Sequence, residues 1–78
     1  MQEQAVLRSN LSLVHSKMHD WDAAVESARQ AVAADACYIK AWWRLSQAQV
    51  GVKNLEGAIK ALERGLDLEP STLANKRL

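Results

Sequence analysis

Apolar side chains recur along this chain at intervals of three and four, the period of a helix with one buried face. Trp21, Ala24, Val25, Ala28, Ala31 and Val32 fall on one such stripe. Adding 34 to each number reaches Leu55, Ala58, Ile59, Leu62, Gly65 and Leu66, a second stripe with the same spacing and similar sizes. Upstream of each stripe, Leu11-Ser12 and Leu45-Ser46 stand in register, again 34 apart. A period of this length marks a unit that buries its apolar face by stacking on a copy of itself. The pattern predicts four helices, at roughly residues 4–18, 20–34, 38–52 and 54–68, joined by short turns. Asp20 and Asn54 each precede the second helix of a hairpin, where a side-chain oxygen accepts from an otherwise unpaired backbone N–H. Pro70 cannot extend a helix and closes the second copy, and Ser71 is placed to cap one further turn. No run alternates with the period of a strand, so the fold class is all-α.

Composition narrows what such a fold does. The chain has 78 residues, 49% of them apolar, with no Phe and three Trp, which suits a small Ala- and Leu-rich helical domain of modest stability. Ten basic and nine acidic side chains leave a net charge of +1, too little for a global field that would hold nucleic acid or an anionic membrane. No apolar run nears the ~20 residues that cross a bilayer, and Met-Gln-Glu-Gln lacks the basic start of a signal peptide; a cytoplasmic location is expected. The lone Cys37 suits a reducing compartment and is expected to be a small packing residue.

The repeat resembles the tetratricopeptide repeat, whose 34-residue period carries a Trp, Leu, Gly, Tyr, Ala, Phe, Ala, Pro signature. Residues 39–72 follow it with Trp42, Leu45, Ser46, Ala58, Leu62, Gly65 and Pro70. Residues 5–38 are more degenerate, with Arg8, Leu11, Ser12, His15, Ala24, Ala28, Ala31 and Ala36 at the same places. The resemblance implies two tetratricopeptide hairpins stacked as a short right-handed α-solenoid, with residues 73–78 as the start of a capping helix. At the turn position that usually holds Gly stand His19 and Lys53, which implies mild left-handed strain in both turns.

Enzyme chemistry finds no foothold: the sequence lacks a Gly-rich phosphate loop, paired cysteines and a nucleophile with an evident base, and no cofactor is implied. His15 and His19 share a helix spacing but have no third ligand, so His15 is assigned to an aromatic packing position and His19 to the turn. A sharper constellation sits on the first helix of each hairpin. Asn10 and Arg44 are equivalent, Lys40 stands four residues before Arg44, and Lys17 seven after Asn10. Lys40, Arg44 and Gln47 form a polar stripe beside the apolar stripe of Ala41, Leu45, Ala48 and Val52. An Asn with three cations suits a carboxylate, since charge-assisted hydrogen bonds are about twice as strong as neutral ones.

This set resembles the dicarboxylate clamp of chaperone-binding tetratricopeptide domains. There the ligand is the acidic C-terminal tail, ending Glu-Glu-Val-Asp, of the seventy- and ninety-kilodalton heat-shock chaperones. By resemblance, Asn10 takes the terminal carboxylate, Lys40 and Arg44 the acidic side chains or nearby backbone, and Lys17 matches an auxiliary groove lysine. A complete clamp spans three repeats, and the chain corresponds to the second and third. Trp43 either faces an apolar side chain of the ligand or lies half buried against the neighbouring helix. The competing readings are a solvated basic face, a tetratricopeptide interaction module without carboxylate recognition, and a purely structural stack. Apolar residues at both ends, Val6, Leu7, Leu11, Leu13 and Val14 on the first helix and Leu55, Ile59, Leu62, Leu66 and Leu68 on the last, also predict self-association through open repeat ends.

Overall fold

The computed structural model describes residues 2–69 and has four helices in chain order: α1 (Gln2–Lys17), α2 (Trp21–Ala34), α3 (Ile39–Gly51) and α4 (Leu55–Leu68). No strand occurs among the described residues. Each helix begins and ends within two residues of the expected position. Pro70, Ser71 and the expected capping segment 73–78 lie outside the described residues.

The helices form where no Pro interrupts the apolar period, and α1 carries charges that complement its dipole, Glu3 in the first turn and Lys17 in the last. The two hairpin turns are built alike. After α1, the Asp20 N–H donates to the His15 carbonyl at 2.9 Å and the His19 N–H to the Ser16 carbonyl at 3.0 Å. After α3, the Asn54 N–H donates to Gln49 at 2.8 Å and the Lys53 N–H to Val50 at 2.9 Å. Both pairs are the six-to-one and five-to-two bonds of a Schellman ending, which requires a left-handed residue just past the helix. His19 and Lys53 take that conformation with φ of 59° and 64°, so the strain expected at both positions is present.

The caps diverge. Asn54 Oδ1 accepts from the Gly57 N–H at 3.1 Å, as expected, whereas the Asp20 side chain makes no cap hydrogen bond. The Asp20 backbone carbonyl alone receives the first bond of α2, from the Ala24 N–H at 3.0 Å.

Hairpin α1–α2 lies beside hairpin α3–α4, joined by α2 against α3, with α1 also touching α3. Among the described residues α4 packs on α3 alone. The interior is made of small side chains: Ala24, Ala28, Ala31, Ala41, Ala48, Ala58 and Ala61 are buried, with Ser9, Ser12 and Ser46, and Leu45 is the large apolar residue among them. Small residues let helix axes approach, and their hydroxyls need partners once buried. The Ser12 hydroxyl donates to the Ala24 carbonyl at 2.8 Å, tying α1 to α2. Val25, Val32 and Trp42 close over the cluster of Ala28, Leu45 and Ala61.

Two glycines mark close approaches. A methyl at Gly51 would fall inside the Trp21 ring, and one at Gly65 would lie 2.9 Å from the Trp43 ring. Trp42 instead reaches back to the turn between hairpins, where its Nε1–H donates to the Ala36 carbonyl at 2.8 Å. Ala36 occupies the place of the signature Pro, and the indole bond holds that turn in its stead. In the same turn the Cys37 N–H donates to Asp35 Oδ1 at 3.0 Å. Cys37 itself is exposed, which corrects its assignment as a packing residue: the helical stripe that would direct it inward stops at Ala34. No helix among the described residues is long and apolar enough to cross a membrane.

Candidate functional site

The candidate site is the polar face of α1 and α3, two helices that touch and run in equivalent positions of their hairpins. On α3 the direction of this face is set by packing. Ala41, Leu45 and Ala48 are buried, while Val52, just past the helix end, is 37% exposed. Lys40 and Gln47 are correspondingly exposed and Arg44 is half-buried. Arg44 Nη1 donates to Gln47 Oε1 at 3.2 Å, a contact between neighbours on one helical face. Its Nε is buried and has no hydrogen-bond partner among the described residues. The stem of Arg44 is thus covered, and the end of its guanidinium is steadied by an exposed amide. Lys40 stands one turn before it on the same face.

On α1, Asn10 and Lys17 are exposed. Asn10 shares its stripe with Leu7, Val14 and Lys17, and it borders a shallow depression with Glu3, Val6 and Leu7. The structure therefore joins Arg44 to Gln47 by a hydrogen bond and keeps Lys40 beside them, while Asn10 occupies a rim between the polar face and the free apolar flank of α1. Lys17 lies about 10 Å along the axis from Asn10, at 1.5 Å per residue. Two residues of this face escaped sequence reasoning. Glu3 puts a negative charge at one end of the α1 stripe, and Val50, 53% exposed, offers an apolar contact three residues beyond Gln47. The seven-residue spacing from Glu3 to Asn10 was the available signal for the first.

Trp43 follows the second of its two readings. Its ring lies against the notch at Gly65 and is half-buried between α3 and α4 of its own hairpin. Its neighbour Ser46 is buried and donates to the Trp43 carbonyl at 2.7 Å. His15 is half-buried with Nδ1 enclosed, and the His19 ring leaves the turn to meet Trp21, with centroids 5.7 Å apart. No group of three or more His, Cys, Asp or Glu side chains gathers to hold a metal among the described residues.

Residues 39–72, which contain α3, α4, Lys40, Arg44 and Gln47, match the tetratricopeptide repeat family. No solved structure matches the chain. The second hairpin thus matches a repeat of the kind that stacks into protein–protein interaction scaffolds.

Proposed function

We propose that the chain is a co-chaperone-type peptide-binding module, in which residues 5–38 act as a degenerate tetratricopeptide repeat beside residues 39–72. Its α1–α3 face takes the acidic C-terminal peptide of a heat-shock chaperone or of a protein with a similar tail. The observation that carries this reading is the state of Arg44: a half-buried stem, one amine steadied by Gln47, and Lys40 one turn away, with no carboxylate among the described residues paired to either. Holding a guanidinium in place before the ligand arrives reduces what binding must spend on ordering it.

In this reading Arg44 and Lys40 donate to acidic side chains or to backbone carbonyls of the peptide. Asn10 donates its amide N–H to the terminal carboxylate, and Lys17 extends the positive stripe. Gln47 acts as a positioning residue for Arg44, and Val50 receives an apolar side chain. Glu3 repels acid at the start of α1, which favours a peptide whose charges lie toward Arg44 and Lys17.

The test is a peptide titration against point variants. Arg44→Ala and Lys40→Ala should each lower affinity for an acidic C-terminal peptide about 10- to 100-fold, since a hydrogen bond to a charged group contributes ~1.5–3 kcal/mol. Helix content should be unchanged, because both residues lie outside the buried set. Wild-type affinity in both variants would move the site elsewhere.

A further inference from the structure

Among the described residues two apolar stripes remain uncovered, and they lie at opposite ends of the stack. On α4, Leu55, Ile59, Leu62 and Leu66 are 61, 58, 40 and 43% exposed. On α1 and just past its end, Leu7, Leu11, Val14 and Met18 follow the same i, i+4, i+7, i+11 spacing and are 52, 36, 51 and 69% exposed. Neither stripe is an irregular patch, because each has a covered counterpart 34 residues away inside the chain. Ile59, Leu62 and Leu66 correspond to Val25, Ala28 and Val32 of α2, which pack against Trp42 and Leu45 of α3. Arg8 and Leu11 of α1 correspond to that same Trp42 and Leu45. The described residues therefore hold both halves of the α2–α3 interface a second time, each half without a mate among them.

We propose that a second copy of this chain covers them, α4 of one copy packing on α1 of the next in the geometry of the internal α2–α3 contact. Charge supports a copy as the occupant. Trp42 lies in a cleft lined by Val32 and Ala33 from α2, by Ala36 from the turn that follows it, and by Arg64, Asp67 and Leu68 from α4. Transferring the template by 34 residues sets Arg8 of one copy against Leu66 and Asp67 of the next, so opposite charges meet where the internal interface has an indole against Ala33. The contact joins two different surfaces, so it does not close on itself and adds copies end to end.

Sedimentation of the full chain with one-sided variants tests this. Ile59→Glu blocks the α4 stripe and Leu11→Glu the α1 stripe; circular dichroism confirms that each keeps its helix content, and Leu7→Glu replaces Leu11→Glu if it does not. The wild-type chain should gain mass with concentration beyond twice its 8.7 kDa. Each variant alone should stay a monomer, and their equimolar mixture should form a dimer that grows no further, since only one matched pair of ends remains. A wild-type chain that stays monomeric across the range overturns the proposal. So does loss of association from one variant only, which would assign a two-fold contact, and so does a mixture that remains monomeric.

Discussion

Lys53 carries a left-handed backbone with a Cβ attached, and so does His19 at the same place one repeat earlier. A non-glycine residue in this conformation costs about 1–2 kcal/mol, and the Schellman bonds that surround it hold it there. Lys53→Gly should therefore stabilise the chain by roughly 0.5–1 kcal/mol after the greater unfolded freedom of Gly is deducted, whereas Lys53→Ala should not. Urea midpoints of the two variants read the difference, and equal midpoints would mean that the turn is not strained. This feature was legible in the sequence because the resemblance to the tetratricopeptide repeat puts both residues at a turn position that usually holds Gly. Trp43 was not, since periodicity places a boundary residue on a stripe without saying which neighbour its ring leans on. What decided it is Gly65, a notch where the first copy has Ala31. Cys37 escaped for the opposite reason: it lies in a turn, where helical spacing has no direction to assign.

At the scale of the element, the two hairpins repeat their turns to within a few degrees and yet differ in their caps. Asp20 has φ −91° and ψ 76°, and Asn54 has φ −90° and ψ 75°, so the backbone offers both side chains the same opportunity. Only Asn54 uses it. Asn54→Ala should cost about 1 kcal/mol at any ionic strength, because a hydrogen bond to a helix N–H is lost. Asp20→Ala should cost only the charge–dipole contribution, ~0.3–1 kcal/mol in low salt and close to nothing in 1 M salt. Thermal unfolding of both variants at two salt concentrations separates these, and a salt-independent loss in Asp20→Ala would restore the cap that the structure lacks. The helices themselves were readable to within two residues, because apolar period and turn residues agree along the whole described chain. The choice between two chemically similar caps was not, since it turns on a side-chain rotamer.

For the molecule as a whole, a core of alanines and serines fixes helix spacing but buries little large apolar surface. The end helices carry a set of large apolar side chains, as the sequence suggested, with Val6, Leu13 and Leu68 half-buried and the others exposed. The polar face between those ends was legible in part. Lys40, Arg44 and Gln47 were named from spacing together with the resemblance to the carboxylate clamp, while the bond that joins Arg44 to Gln47 and the rim position of Asn10 required three dimensions. The central claim is that this face recognises a terminal carboxylate among acidic side chains. It is tested most directly by titrating one acidic peptide in two forms, with a free C-terminal acid and with a C-terminal amide. Each charge-assisted bond is worth ~1.5–3 kcal/mol, so the free acid should bind about tenfold or more tightly than the amide. The difference should shrink in Asn10→Ala and when salt shortens the Debye length below about 10 Å. Equal binding of acid and amide by the unaltered chain would contradict the claim.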